Sequence, residues 1–217
     1  MTMRHTPLLN PRAFHICLAV GAGLLTACAS SPRLSDRNKP DSNGTDASRA
    51  IADLMKQREQ ARALIAQAEQ AEVDGQPERA IELYAQALRL DDSMQNAWNN
   101  AGTLLMDAGR FADAVSAFQR ASQLVPGDPR PEYNIGVAYQ HNGWGEDAYR
   151  HFGIAIARDP SHLPSIRGYV RAAEMTGKAE SQLLDVIKAA TMRETDEAWR
   201  EYFLRQRYRV EAVLEQR

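Results

Sequence analysis

The chain has 217 residues, of which 44% are hydrophobic and 25% are charged, and its formal net charge is −2. This composition is ordinary for a globular protein. The slightly acidic balance excludes the broad basic surface that attracts nucleic acid or anionic lipid, so no nucleic-acid partner is expected.

The first 27 residues have the organisation of a secretory signal peptide. Residues 1–12 carry Arg4 and Arg12 and no acidic residue, and residues 13–27 form an apolar run that ends in small residues. A basic segment, followed by an apolar segment and then by small residues, is typical of a signal peptide. The apolar run has 15 residues, whereas a helix that crosses a bilayer needs about 20. A transmembrane helix is therefore not expected here.

The apolar run ends in Leu25-Thr26-Ala27-Cys28, which resembles the lipobox of bacterial lipoproteins. This resemblance implies cleavage before Cys28 and attachment of a diacylglyceryl group to its thiol. Each buried CH₂ group contributes about 0.8 kcal/mol, and two acyl chains anchor a protein stably. The residue after Cys28 is not Asp, which by the same resemblance indicates the outer membrane, facing the periplasm. The alternative is a secreted protein with a free thiol at Cys28.

Residues 28–46 are predicted to form a disordered tether. Leu34 is the one large apolar residue among many Ser, Asp, Asn and Pro residues. Such a segment cannot bury enough apolar surface to offset the entropy lost on ordering.

Residues 47–60 are predicted to be an N-terminal helical extension. From residue 47 to residue 73 the chain has helical composition and contains no Gly or Pro. A helix of that length spans about 40 Å, roughly twice what the first helix of a helical repeat needs. The extension, with the apolar residues Ile51, Leu54 and Met55, is expected to pack on its own solenoid, on a partner, or on a second copy as a homodimer.

From residue 61 onward the sequence repeats with a period of about 34 residues, which we name the repeat step. Small residues at fixed positions let two antiparallel helices approach, and a glycine between them tolerates a positive φ. Large residues then fill the space between successive helix pairs, which must stack because no single pair can bury its own apolar face. The recurring positions are Gly75, Gly109, Gly143 and Gly177; Ala80, Ala114 and Ala148; Tyr84, Phe118, Phe152 and Val186; and Ala87, Ala121, Ala155 and Ala189.

The second repeat resembles the tetratricopeptide repeat (TPR) closely. The residues that carry the resemblance are Trp98, Gly102, Gly109, Phe111, Ala114, Phe118, Ala121 and Pro126. The resemblance extends to four units, residues 61–94, 95–128, 129–162 and 163–196. It implies an all-α, right-handed superhelix of four helix pairs. Residues 196–217 are predicted to form a C-terminal capping helix, with Thr195 as its N-cap.

No motif for catalysis or cofactor binding is present. The chain lacks a glycine-rich phosphate loop, a nucleophile elbow and a paired-histidine zinc motif. His141, His151 and His162 are each separated from the next by more than two helical turns, so they are not expected to share one helix face. We therefore predict no catalytic residue, no metal site, no cofactor and no enzymatic activity.

The resemblance implies that the first helix of each pair lines a concave groove that binds a peptide of a protein partner. Asn100 and Asn134 lie one repeat step apart and could hold a ligand backbone with their amides or bond neighbouring helices. Glu69 at the start of the groove and arginines toward its end suggest that the acidic part of a ligand lies near the later repeats. The predicted groove residues are Asn99, Asn100, Thr103, Arg130, Tyr133, Asn134, Val137, Arg167 and Arg171.

These features predict a lipid-anchored adaptor or scaffold that binds a protein partner in the bacterial envelope. Resemblance to TPR lipoproteins of pilus-assembly and tight-adherence secretion systems favours a role in assembly. A second function class is a regulator or docking factor for cell-wall hydrolases or proteases. An enzyme in its own right is a remote third.

Overall fold

The computed structural model describes residues 42–216, and all the regular structure in this range is helical. The predicted all-α solenoid is confirmed. The predicted signal peptide, Cys28 and most of the tether lie outside the described residues. The helices are α1 (Ser42–Val73), α2 (Pro77–Leu90), α3 (Gln95–Asp107), α4 (Phe111–Leu124), α5 (Pro129–His141), α6 (Gly145–Arg158), α7 (Leu163–Met175), α8 (Ser181–Arg193) and α9 (Glu197–Glu215).

The helices pair in sequence at regular intervals. The starts of α3, α5, α7 and α9 are each separated by one repeat step, so α9 stands where the first helix of a fifth unit would begin. A glycine with φ between 68° and 75° ends each first helix. A residue with a side chain is strained at such a φ, which explains glycine at these turns. They are Gly75, Gly109, Gly143 and Gly177.

Each of the two middle units is built on a glycine that faces an aromatic ring. A Cβ atom added to Gly102 would lie 2.6 Å from Cε1 of Phe118, and one added to Gly136 would lie 2.7 Å from Cδ1 of Phe152. Both rings are fully buried, as are Ala114 and the equivalent alanines of the first three units. The small residues therefore let the paired helices meet around each ring.

The fourth unit departs from the predicted register by one residue. Leu183, Ile187 and Ala190 are fully buried, whereas Ala189 is exposed and Val186 only half-buried. The prediction that Val186 and Ala189 fill the core columns is wrong. The reason is a longer turn after Gly177: α6 begins two residues after its turn glycine, and α8 begins four residues after Gly177. The added length rotates α8. At each core position, the residue that follows the predicted one in the sequence is therefore buried.

The extension before residue 61 does not pack on its own solenoid. Every residue from 46 to 60 is exposed, including Ile51 at 55%, Leu54 at 64% and Met55 at 69%. Arg58 links the extension to the solenoid body, donating from Nε to Oδ2 of Asp91 at 2.8 Å and from Nη2 to the Ser93 hydroxyl at 3.2 Å. The hydrogen bond from Arg58 lowers the pKa of Asp91 to about 2. Pairing of this extension with a second copy stays a prediction.

The N-cap of the last helix is Asp196. The prediction of Thr195 as the N-cap is therefore wrong. The Asp196 side chain accepts a hydrogen bond from the Trp199 amide at 3.1 Å. Phe203 and Val210 of α9 are fully buried in the same core cluster as Leu183 and Ile187. Helix α9 therefore covers the end of the solenoid.

A buried polar cluster joins the second and third units. Glu132, 7% exposed, accepts hydrogen bonds from Ser122 at 2.6 Å and Arg158 at 2.9 Å, and contacts Nδ1 of His151 at 2.8 Å. Burial alone would raise the pKa of Glu132, but the contacts with His151, Ser122 and Arg158 lower it below its usual value. Trp98 and Ile166 occupy the matching position in the neighbouring units, so this carboxylate replaces a large apolar residue.

We expect Glu132→Gln to lower the free energy of unfolding by about 1–3 kcal/mol at pH 7, because buried donors lose their charged acceptor. The folded-state pKa of Glu132 lies below the unfolded value of about 4.3. Its contribution is therefore present above that pH and is lost as the pH falls through the folded-state pKa. Urea unfolding followed by circular dichroism at pH 7 and pH 4 measures the difference. Glu82→Gln, at an exposed position, is the control. If Glu132→Gln and wild type differ in unfolding free energy by the same amount at both pH values, the lowered pKa of Glu132 would be contradicted.

Candidate partner-binding surface

The first helices α1, α3, α5 and α7 form one surface of the solenoid, which we name the odd-helix face. It carries a cleft of about 470 Å³ between α1 and α3. The cleft is open, and its walls include guanidinium, carboxylate and amide groups beside apolar surface. Its lining residues are Arg58, Arg62, Ile65, Glu69, Asp91, Ser93, Met94, Gln95, Asn96, Ala97 and Asn100.

Asparagine side chains run across this face, and each uses part of its amide inside the protein. Nδ2 of Asn134 donates to Oδ1 of Asn99 at 3.0 Å, and Nδ2 of Asn100 donates to the hydroxyl of Tyr84 at 3.3 Å. The alternative that Asn100 and Asn134 bond neighbouring helices is therefore realised. Within residues 42–216, Nδ2 of Asn99 and the amide oxygens of Asn100 and Asn134 have no recorded partner. One half of each amide remains available to a ligand.

The other predicted groove residues of α3 and α5 are engaged within the protein. The Thr103 hydroxyl donates to the carbonyl oxygen of Asn99 in its own helix at 3.1 Å. Arg130 donates to both carboxylate oxygens of Asp128, at 2.7 Å for the closest contact. Tyr133 and Val137 pack against the core cluster of the last two units. These four side chains therefore define the shape of the surface and offer a ligand few free hydrogen-bonding groups.

Helix α9 occupies the predicted groove positions of the fourth unit. Arg167 donates to both carboxylate oxygens of Glu194, at 2.9 and 2.7 Å. The guanidinium carbons of Arg167 and Arg171 lie 4.8 and 4.5 Å from the Trp199 ring centroid, within the range of a cation–π interaction. Glu174 accepts hydrogen bonds from Tyr202 and Gln206, each at 2.7 Å.

These contacts change the predicted charge polarity of the groove. Arg167 is paired, and its hydrogen bonds lower the pKa of Glu194. Because the Glu194 carboxylate already pairs with Arg167, Arg167 contributes little to the expected basic end of the groove, and the polarity of a ligand stays a prediction. At the other end, Glu72 accepts from the Tyr84 hydroxyl at 2.5 Å, while Glu69 has no recorded partner within residues 42–216.

Arg62 and Asn96 are among the lining residues that the sequence reasoning missed. Arg62 precedes Ile65 by three residues and therefore lies on the same stripe of α1. Asn96 receives a hydrogen bond from Arg130 at 3.3 Å, and the two occupy the same position in consecutive units. The repeat step that located Asn100 and Asn134 could have found Asn96 as well.

The described residues show neither a metal-binding cluster nor a membrane-crossing helix. Among residues 42–216, no group of three or more His, Cys, Asp or Glu side chains is arranged to hold a metal ion. His151 contacts Glu132 and His162 contacts Ser165 at 2.6 Å, so both serve in local hydrogen bonds. No described helix is long and apolar enough to span a bilayer.

Residues 65–129 match the model of the tetratricopeptide repeat family. Proteins with this repeat mediate protein–protein interaction as scaffolds and adaptors. The peroxisomal targeting signal receptor of Candida glabrata is 30% identical over 80 residues, which are 37% of this chain and 14% of the receptor. The chain therefore spans only a small part of the length of this relative.

Solved structures with this fold also match. A crystal structure of MamA protein superposes with a TM-score of 0.56 and 20% identity, covering 70% of this chain and 89% of that one. The first TPR domain of Spaghetti (RPAP3), bound to the HSP90 peptide SRMEEVD, superposes with a TM-score of 0.52 and 16% identity, covering 55% and 95% of the two chains. At these identities the likeness shows the fold alone.

The contacts of Arg167 with Glu194 and Trp199 predict that Arg167 stabilises the folded protein. Arg167→Ala leaves Glu194, 3% exposed, without its cation, which should cost about 1–3 kcal/mol of unfolding free energy. Arg171→Ala, on the same helix but exposed, should cost less than about 1 kcal/mol. Denaturant unfolding at pH 7 compares the two. Equal stability of the two variants would show that the Arg167–Glu194 pair does not hold α9 in place.

Proposed function

We propose that the chain is a membrane-tethered adaptor of the bacterial envelope that holds a segment of a protein partner on its odd-helix face. The observation that carries the proposal is the row of asparagine amides with unused hydrogen-bonding atoms, beside an open polar cleft. An amide offers both a donor and an acceptor, which are the two groups that a peptide backbone needs. Such a surface holds a backbone with little dependence on its side chains.

The tethering part of the proposal rests on Leu25–Cys28 at the end of the apolar run. An acylated Cys28 would join the membrane to the solenoid through the predicted tether. We infer the outer membrane, with the solenoid facing the periplasm, and a role in the assembly of a pilus or secretion complex. The amide groups of the odd-helix face suit the positioning of a partner.

We expect Cys28→Ala to abolish incorporation of a labelled fatty acid into the full chain expressed in its bacterial host. The thiol is the one attachment point that the Leu-Thr-Ala-Cys sequence offers. Membrane fractionation should then find the variant unprocessed or in the soluble fraction. Cys17→Ala, in the predicted signal peptide, is the control and should label normally. Equal labelling of the two variants would remove the anchor from the proposal.

The binding surface is tested with a partner identified by photocrosslinking from position 96 in cells. Asn96→Ala with Asn100→Ala should weaken its affinity at least tenfold, because each lost amide leaves a ligand group unpaired at a cost of about 1–3 kcal/mol. Asn142→Ala is the matched control, since its amide bonds Ala138 of its own helix. Titration by calorimetry measures the affinities. Unchanged affinity, with the fold intact by circular dichroism, would place the partner elsewhere.

A further inference from the structure

The second helices α2, α4, α6 and α8 form the even-helix face, which carries a cleft between each successive pair. The clefts measure about 480, 310 and 200 Å³ in chain order. The first, between α2 and α4, is the largest of the three. Its lining residues are Ile81, Ala85, Leu88, Arg89, Trp98, Ala101, Leu105, Arg110, Asp113, Ser116, Ala117 and Arg120, and we name it the first cleft.

A difference between the second and third units explains why the first cleft is open. Ala101 and Ala117 line it, and one repeat step later the matching positions hold Ile135 and His151. There the His151 ring stacks on Tyr139 with centroids 5.2 Å apart. The second cleft is thus partly filled by the protein's own side chains. In the first cleft the small residues leave the space unfilled.

The chemistry of the first cleft fits an apolar helix with a carboxylate at one end. Its floor includes Trp98, whose indole Nε1 donates to the Asp92 carbonyl at 2.9 Å and is thereby held in place. Of its three arginines, Arg110 pairs with Asp113 and Arg120 with Asp92, at 2.6 and 2.7 Å. Arg89, in the last turn of α2, has no recorded partner within residues 42–216.

The N-terminal extension of the same chain has this chemistry. Ile51, Leu54 and Met55 lie on one side of α1 and are more than half exposed, and Glu59 follows Met55 by one helical turn. Residues 46–60 span about 22 Å and the 14 residues of α2 about 21 Å, so the two match in length. In their own chain, Ile51, Leu54 and Met55 line an open cleft with Arg89 and Leu90, but all three side chains remain more than half exposed. Most of the apolar stripe of the extension is therefore uncovered, and no helix lies in the first cleft.

We propose that the extension of one copy docks in the first cleft of a second copy, with Glu59 near Arg89. A contact between two different surfaces is head-to-tail, so it adds copies in series. Direct pairing of two extensions would bury about three large side chains from each copy. The extension in the cleft engages twelve further residues.

Two variants separate the two halves of this contact. Leu54→Asp disables the extension and should weaken self-association about 10- to 150-fold, the factor expected from losing one buried leucine. Ala85→Leu fills the first cleft from an exposed position and therefore should not disturb the core. Ala157→Leu, exposed on α6 and outside the clefts, is the matched control and should behave as wild type.

Sedimentation velocity of the full chain in detergent provides the measurement. Wild type should grow beyond a dimer with concentration, and each variant alone should be monomeric. An equimolar mixture of Leu54→Asp and Ala85→Leu should form a dimer and stop there, because only one functional extension and one functional cleft remain. Arg89→Ala should weaken wild-type association about 1.4- to 5-fold, as an exposed charge pair does.

Three outcomes would overturn the proposal. Wild type could be monomeric at all concentrations, in which case another protein or nothing occupies the first cleft. Ala85→Leu alone could still dimerise, which would mean that two extensions pair with each other. The mixture of the two variants could remain monomeric. None of these substitutions lines the cleft between α1 and α3, so binding of the crosslinked partner tests the proposed function separately.

Discussion

The contact of a buried aromatic ring with small residues is the constraint on which the solenoid depends. Phe118 and Phe152 have no exposed surface, and each ring fills the place where a Cβ atom of the facing glycine would be. Interiors of proteins are close-packed, so an added methyl group at such a contact forces the helices apart. The helix spacing within the second and third units and the stacking of their neighbours follow from these contacts.

The sequence was sufficient to predict those features that repeat. The turn glycines, the alanine columns and the starts of α3, α5 and α7 all follow the same repeat step. The rotation of α8 could not be predicted, because the step carries no information on a longer turn after Gly177, and a one-residue change moves Val186 out of the core. The individual contacts of α9 could not be predicted for a related reason: Trp199 and Glu194 meet Arg167 only once the helices are packed.

Surface chemistry arises where a unit departs from the repeat. Glu132, in a position that holds Trp98 and Ile166 in the neighbouring units, turns an apolar junction into a hydrogen-bonded one. Such a cluster need not add stability over apolar residues of equal volume, but its geometry is satisfied only by these partners. Conversely, Ala101 and Ala117 leave a space where the next unit has larger side chains. Identical units would offer neither the polar junction nor the open first cleft.

Intramolecular pairing limits how the odd-helix face can recognise a partner. Arg58, Arg130 and Arg167 each meet a carboxylate of the same chain, so little of their charge is available to a ligand. Recognition on this face then falls to amide groups, which hold a backbone without selecting its sequence and bind modestly. If copies join head-to-tail through the extension, several such faces are held in series. A partner with more than one suitable segment would engage them together, and the higher effective concentration would raise its affinity without any additional contact. Selectivity would then come from the spacing of copies in the array, and the extension would contribute to function without touching the partner.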